Sequence, residues 1–266
     1  MNILEKIVEK KKEEVAQRKE LYPIKLLEKS LYFPGKTVSL KKYLKREGSS
    51  QIIAEFKKKS PSKGFINPYA QVEKISVGYM QAGAAALSIL TDTEFFGGSN
   101  QDLLTARKFN FCPILRKDFI IDPYQIIESK SIGADVILLI AAILSEQESK
   151  ELSAFAKSLE LEVLLEVHDA DEIKKSDLTH VDVVGINNRN LKTFEVSIEN
   201  SMRLLSLLPK DKIKIAESGI DNIDTIKQLK EAGFEGFLMG EYFMKQPKPE
   251  WAAKLLISSL QPKIVL

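Results

Sequence analysis

Ile52-Ile53-Ala54-Glu55-Phe56-Lys57-Lys58-Lys59-Ser60-Pro61-Ser62 is the stretch that decides the fold. Its apolar start suits a buried strand, and it breaks abruptly into charge and then into a Ser-Pro-Ser turn. Side chains alternate along a strand, so Glu55 and Lys57 share one face while Ala54 and Phe56 take the other. An acid and a base therefore stand together at a strand's end. Taken alone, Glu55, Lys57, Lys58 and Lys59 describe a solvated strand end, but the plan recurs. Pro113-Ile114-Leu115-Arg116-Lys117-Asp118-Phe119, Val163-Leu164-Leu165-Glu166-Val167-His168, Val183-Val184-Gly185-Ile186-Asn187-Asn188-Arg189 and Ile213-Lys214-Ile215-Ala216-Glu217-Ser218-Gly219 also run from apolar into polar residues. Polar groups gathered at the same end of several strands imply one shared site.

Working outward, short apolar strands alternate with amphipathic helices from Gln51 onward. Strands are expected near residues 52–56, 85–90, 113–115, 136–141, 163–167, 183–186, 213–216 and 236–239. Helical patterns fall between them, near 68–82, 100–108, 123–131, 145–159, 170–175, 198–207, 222–232 and 249–260. Buried parallel strands read as nearly continuous Val/Ile/Leu runs, and these mostly do. Eight such units in succession fit an α/β chain folded as a TIM (β/α)8 barrel, whose active site lies on the loops after the strands. An open doubly wound sheet is the alternative, but no strand is followed by its Gly-x-Gly-x-x-Gly fingerprint. Gly83-Ala84, Gly133-Ala134 and Gly233-Phe234 suit helix C-caps feeding the next strand.

Ahead of the barrel, residues 2–19 read as a helix, since Ile3, Leu4, Ile7, Val8 and Val15 fall at roughly helical spacing. Residues 26–31 and 40–45 read as two shorter ones. The first is expected to lie on the surface as a lead-in, with Glu9-Lys10-Lys11-Lys12-Glu13-Glu14 as a solvated face. The organisation expected is a single barrel domain over residues 1–266, with an N-terminal helical extension at 1–48 and the barrel at 51–260.

Of 266 residues, 39 are basic and 37 acidic, a net charge of +2 spread along the chain, and no nucleic-acid partner is expected. No apolar run reaches membrane-spanning length and the N-terminus has no signal-peptide core, so the expectation is a cytoplasmic protein without membrane contact. The single cysteine, Cys112, excludes an intrachain disulfide. It precedes its strand and should lie at the barrel's stability end. His168 and His180 are the only histidines, too few for a zinc cluster.

Residue parity gives an inward-facing set: Glu55 and Lys57, Lys117 and Phe119, Glu166 and His168, Asn187 and Arg189, Glu217 and Gly219. Lysines, an arginine and glutamates converging on one mouth supply acid–base chemistry, because charge crowding and partial burial move pKa values into useful ranges. His168 is read as a polar rim residue. After the last two strands, Glu217-Ser218-Gly219-Ile220 and Met239-Gly240-Glu241 place small residues where barrels bind phosphate. Backbone N–H groups there, with a short helix beginning near Glu241, suit an anion. Phe96, Phe119 and Leu191 are candidates to sandwich an aromatic ring. The loop 58–67, with Ser60, is a candidate lid.

The opening stretch, together with Pro113 to Phe119, Ile186-Asn187-Asn188-Arg189-Asn190-Leu191 and Ala216-Glu217-Ser218-Gly219-Ile220, closely resembles the signature of indole-3-glycerol phosphate synthase. The likeness runs from the N-terminal helices to about Pro247. It implies a tryptophan-pathway lyase that closes a ring in 1-(2-carboxyphenylamino)-1-deoxyribulose 5-phosphate, losing carbon dioxide and water, with no cofactor or metal. It implies Lys117 as acid for the carbonyl, with Glu55, Lys57 and Glu166 sharing the remaining proton transfers in an unassigned order. Asn187 and Glu217 would orient substrate and partners. Arg189 suits the anthranilate carboxylate, and Ser218, Gly219, Gly240 and Glu241 the phosphate. Arg116 stands where a small or apolar residue is expected, but its parity turns it away from the site. Asn188 and His168 fall at positions where the family pattern is loose. The partner implied is this small phosphosugar-anthranilate, and the chain is expected to be a monomer. Phosphoribosylanthranilate isomerase, another phosphate-binding barrel, would want a cysteine where Glu55 stands. A histidine-pathway barrel would want aspartates at Glu55 and Glu166. A catalytically dead binding barrel would want gaps among the acid–base residues, and none is missing.

Overall fold

The computed structural model describes residues 2–189 and 195–260. Eight parallel strands close on themselves: β1 (Ile52–Phe56), β4 (Ala86–Leu90), β5 (Ile114–Lys117), β6 (Val136–Ile140), β7 (Glu162–Val167), β8 (Val183–Asn187), β9 (Ile213–Glu217) and β10 (Gly236–Met239). The ladder between β1 and β10 aligns Ile52 with Phe237, and that between β1 and β4 aligns Ile53 with Ala86, so no edge is left. A two-stranded hairpin, β2 (Lys59–Ser60) and β3 (Gly64–Phe65), stands on the loop after β1.

The helices follow in chain order. Before the barrel come α1 (Ile3–Leu21), α2 (Ile24–Leu27) and α3 (Leu40–Lys45). Around it run α4 (Val72–Gln81), α5 (Asn100–Phe109), α6 (Pro123–Ser131), α7 (Glu146–Ser158), α8 (Ala170–Lys175), α9 (Ile198–Leu205), α10 (Ile223–Ala232), α11 (Glu241–Met244) and α12 (Pro249–Leu260). Gly83, Gly133 and Gly233 follow α4, α6 and α10 with φ of 94°, 87° and 115°, the left-handed turn expected of them.

Strand parity sorts the core into two layers. Ile52, Ala54, Phe56, Leu87, Ile89, Val163, Leu165, Val184 and Ile186 pack outward against the helices. Ile53, Ala86, Leu115, Leu138, Leu164, Val183, Ile215 and Leu238 fill the barrel's interior. The residue two places further along several of these strands is polar: Glu55 after Ile53, Lys117 after Leu115, Glu166 after Leu164, Glu217 after Ile215. An apolar plug thus ends in a polar layer at the C-terminal mouth.

Several boundaries differ from the sequence reading. β5, β8 and β9 run on to Lys117, Asn187 and Glu217, because the polar residues still pair in the ladder: Leu90 opposite Lys117 and Asn187 opposite Glu217. α4 starts at Val72, since Asn67–Ala70 forms a turn closed by the Ala70 N–H on the Asn67 carbonyl. α2 ends at Leu27, and residues 28–30 continue only as tighter turns.

The larger correction concerns α1. It is no surface lead-in: Ile3, Leu4 and Ile7 reach over the barrel's mouth, and Ile7, Lys11 and Val15 are buried at four-residue spacing. Lys11 Nζ lies 2.9 Å from Asp92, 2.9 Å from Asp118 and 2.8 Å from Glu14, with its side chain 1% exposed. A lysine inside a charge run is thus the bolt between α1 and the loops after β4 and β5, while Lys10 keeps the solvated role with Glu13.

Candidate active site

The cavity over the plug is lined by Glu55, Lys57, Ser60, Phe96, Lys117, Phe119, Glu166, Asn187, Arg189, Glu217, Ser218, Gly219, Gly240 and Glu241, so every described candidate converges there. Leu191 lies outside the described residues.

At the floor, Lys117 Nζ sits 2.6 Å from Glu166 Oε2 and 2.8 Å from Glu217 Oε2. Burial works against its charge, but Glu166, Glu217 and Glu55 outweigh that and hold the ammonium above its ordinary range. The two carboxylates respond differently. Glu166 is also buried, yet Lys117 and His168 keep it well below the usual carboxylate range. Asn187 Nδ2 donates to its Oε1 at 3.0 Å. Glu217 goes the other way: burial first, then the repulsion of Glu166 and Glu55, outweigh Lys117 and raise it to about 7. Among the described residues nothing donates to Glu217 Oε1, nor does Ser60 Oγ have a partner. Both groups face a cavity where a substrate can supply one.

Small residues give these carboxylates room. A Cβ at Gly185 would sit 2.1 Å from Glu217 Oε1, and one at Gly240 would sit 2.4 Å from Glu55 Oε1. Across the mouth, Lys57 Nζ pairs with Glu55 at 2.7 Å. Its neighbour Lys58 turns outward to Asp102 at 3.0 Å, as parity requires. Arg189 Nη2 reaches Glu241 Oε2 at 3.4 Å. Phe96 and Phe119 face each other with centroids 5.9 Å apart and, with Leu138 and Ile140 and the overhanging Ile3, Leu4 and Ile7, make one wall apolar.

After β9 the backbone turns sharply. Ser218 has φ 66° and Gly219 φ 69°, and a Cβ on Gly219 would meet Val196 Cγ1 at 2.2 Å. A serine held left-handed is a strained position of the kind that marks ligand-binding turns. Buried Asn188 secures it, donating from Nδ2 to the Ser218 carbonyl at 2.8 Å while its backbone N–H reaches Glu217 O at 2.8 Å. Gly240 then leads into α11, whose first residue is Glu241.

Sequence reasoning passed over three contributors. Asn188 has the wrong parity for the mouth and acts through a turn instead. The overhanging apolar residues of α1 were visible as a stripe, but the stripe gives no direction. His168 is the third, and it corrects the rim reading. Its side chain is 10% exposed, with Nε2 3.2 Å from Glu166 Oε1 and Nδ1 3.2 Å from Glu172 Oε2. Burial opposes its charge, but Glu166 and Glu172 prevail and raise it to about 10. Arg116 does face away from the mouth, held by Glu128 at 2.7 Å and Asp118 at 3.1 Å. Cys112 is buried just before β5, at the opposite end from the chemistry, and burial pushes its thiol up to about 12.

A model of the indole-3-glycerol phosphate synthase family matches residues 4–256. A protein of that name from Bacteroides thetaiotaomicron is 46% identical over 260 residues, covering 98% of this chain and 99% of that one. Another from Aliarcobacter butzleri is 45% identical over 248 residues, 92% and 94% of the two chains. Among solved structures, 3-hexulose-6-phosphate synthase from Salmonella typhimurium superposes with a TM-score of 0.62 over 79% of this chain and 97% of that one, at 13% identity. Tryptophan synthase subunit alpha from Legionella pneumophila gives 0.60 over 83% and 96%, at 15% identity. Those two likenesses bear on the fold alone.

Proposed function

The chain belongs to the indole-3-glycerol phosphate synthase family, and from that premise we propose how its own residues carry out the reaction. The reaction is a decarboxylating ring closure in tryptophan biosynthesis, converting 1-(2-carboxyphenylamino)-1-deoxyribulose 5-phosphate to indole-3-glycerol phosphate. Its first step joins the anthranilate ring to the sugar's C2 carbonyl. Negative charge grows on the carbonyl oxygen, and Lys117 donates a proton there. The carboxylate then leaves as neutral carbon dioxide and its bonding pair returns to the ring. In the last step the C2 hydroxyl leaves as water on taking a proton, while the substrate gives up another to a base.

The observation that carries this assignment is Lys117 between two carboxylates of unequal character, 2.6 Å from Glu166 and 2.8 Å from Glu217. Glu166 stays ionised and holds the ammonium in place. Glu217 exchanges a proton near neutrality and serves as the shuttle. The Lys57–Glu55 pair supplies the acid and base for dehydration. Arg189 takes the anthranilate carboxylate with its planar fork of donors, Asn187 orients Glu166, and Phe96 and Phe119 enclose the ring. The N–H groups after Ser218 and Gly240 bind the phosphate, with Ser60 and Glu241 beside them. The hairpin over residues 58–67 closes as a lid. Residues 1–48 and the barrel act as one folding unit, joined at Lys11, in a cytoplasmic monomer without a nucleic-acid partner.

The test is the growth of indole fluorescence on adding the substrate. Lys117→Ala should lower kcat by ~10³-fold or more while its circular dichroism stays native. An active Lys117→Ala variant would overturn the assignment.

A further inference from the structure

His168 follows β7 directly, two residues beyond Glu166, and does not line the cavity. It nonetheless touches the site through Glu166. Asp169 caps α8, accepting from the N–H groups of Asp171 and Glu172. That cap fixes the first turn, and from it Glu172 reaches back: its Oε2 accepts from the His168 backbone N–H at 2.7 Å and meets Nδ1 at 3.2 Å. With Nδ1 committed to Glu172, Nε2 is aimed at Glu166 Oε1, 3.2 Å away, as an ion-pair contact rather than a well-formed hydrogen bond. Asn200 Nδ2 holds the His168 carbonyl at 3.2 Å. The ring is therefore held between Glu166 of β7 and Glu172 of α8, and the His168 backbone is tied to α9.

The charge arithmetic of the floor gives this grip a consequence. Lys117 is one cation facing two carboxylates, and their mutual repulsion favours a proton on one of them. A second cation on Glu166 alone breaks the tie and leaves the shared proton to Glu217.

We propose that His168, held by Glu172, is a positioning residue whose positive charge fixes Glu166 as the ionised partner of Lys117 and so leaves Glu217 as the carboxyl that exchanges protons during turnover. The charged groups facing the imidazole are Glu166 on β7 and Glu172 on α8, with Lys117 on β5 and Glu217 on β9 one contact further away. This inference rests on the roles of Lys117 and Glu166 proposed above.

The experiment measures kcat and KM against pH for wild type, His168→Gln, Glu172→Gln and Lys117→Ala, with thermal melts of each. Removing the cation makes Glu166 easier to protonate. The His168→Gln deficit in kcat should therefore grow as pH falls, to ~10-fold or more near pH 6, and close as pH rises, with KM little changed. Glu172→Gln keeps the imidazole and removes one of its two carboxylates, so its deficit should have the same sense and be smaller, confined to pH values at which the imidazole has lost its proton and Glu166 still holds one. If His168→Gln matches wild type, or falls by one factor at every pH, the inference is overturned and His168 is only packing. Should His168→Gln fail to fold, His168→Asn takes its place, with the same deficit growing as pH falls. An active Lys117→Ala would instead overturn the assignment beneath it, and the two failures are separable within one data set.

Discussion

Lys11, fully buried, and Lys117, largely buried, are both set between carboxylates, and they differ in how those carboxylates are finished. Around Lys11 the acids are saturated. Asp118 also accepts from Thr91, Arg116 and its neighbour Phe119 N–H, and Asp92 accepts from the N–H groups of Phe95 and Phe96. Burial works against the Asp118 charge, but Lys11 and Arg116 prevail and hold it far below the usual carboxylate range. Around Lys117 one acid is left unfinished, with Glu217 Oε1 unpartnered and its titration near neutrality. A saturated cluster stabilises a fold, and an unsaturated one is free to change protonation when a substrate arrives.

The largest expected effect comes from breaking the saturated cluster. Lys11→Met leaves Asp92 and Asp118 without their shared cation, and removing one partner of a buried ion pair costs about 3–5 kcal/mol. Thermal melting should drop by ~10 °C, with kcat held within ~threefold. A melt near that of wild type combined with a collapsed kcat would reverse the roles of the two lysines.

Gly185→Ala probes the other cluster without changing a charge. The added Cβ would lie 2.1 Å from Glu217 Oε1, so the carboxylate must move off Lys117. We expect kcat to fall by ~10–100-fold and the melt to change far less, the inverse of Lys11→Met. If kcat is unchanged, the placement of Glu217 does not matter to the chemistry.

Much of this was legible in advance, for reasons that differ by residue. The barrel was readable because parallel strands buried on both faces appear as apolar runs, and parity then sends Glu55, Lys117, Glu166, Asn187 and Glu217 to one side. Lys11 was not, because Lys10, Lys11 and Lys12 look alike locally and its partners Asp92 and Asp118 lie on distant loops. Only its place between Ile7 and Val15 hinted at burial. The unequal fates of Glu166 and Glu217 were illegible, since they depend on His168 standing 3.2 Å from one and not the other.

The pH response sharpens the comparison further. Glu217 is raised from 4.5 to about 7, so its contribution to stability is full below about 4.5 and is lost as pH climbs through 7. Glu217→Gln mimics the protonated form and escapes that loss. Its melting temperature relative to wild type should rise between those pH values, and the limb of kcat/KM near pH 7 should vanish. A parallel pair of melting curves would show that Glu217 carries no unusual proton.

The smallest effect is expected at Ser218, where strain rather than charge is stored. Its φ of 66° is left-handed, a conformation that costs a side chain of this kind roughly 1 kcal/mol and costs glycine almost nothing. Ser218→Gly should therefore raise the melting temperature by a degree or two, about what ~0.5–1 kcal/mol gives in a chain of this size. The same change loosens the N–H groups proposed to meet the phosphate, so KM should rise by ~2–5-fold with kcat little altered. Stability gained together with affinity lost is the mark of strain kept for binding. A melt that rises with KM unchanged would make the turn a relic of packing against Val196, and a melt that falls would mean that Asn188 and its neighbours hold the serine without strain.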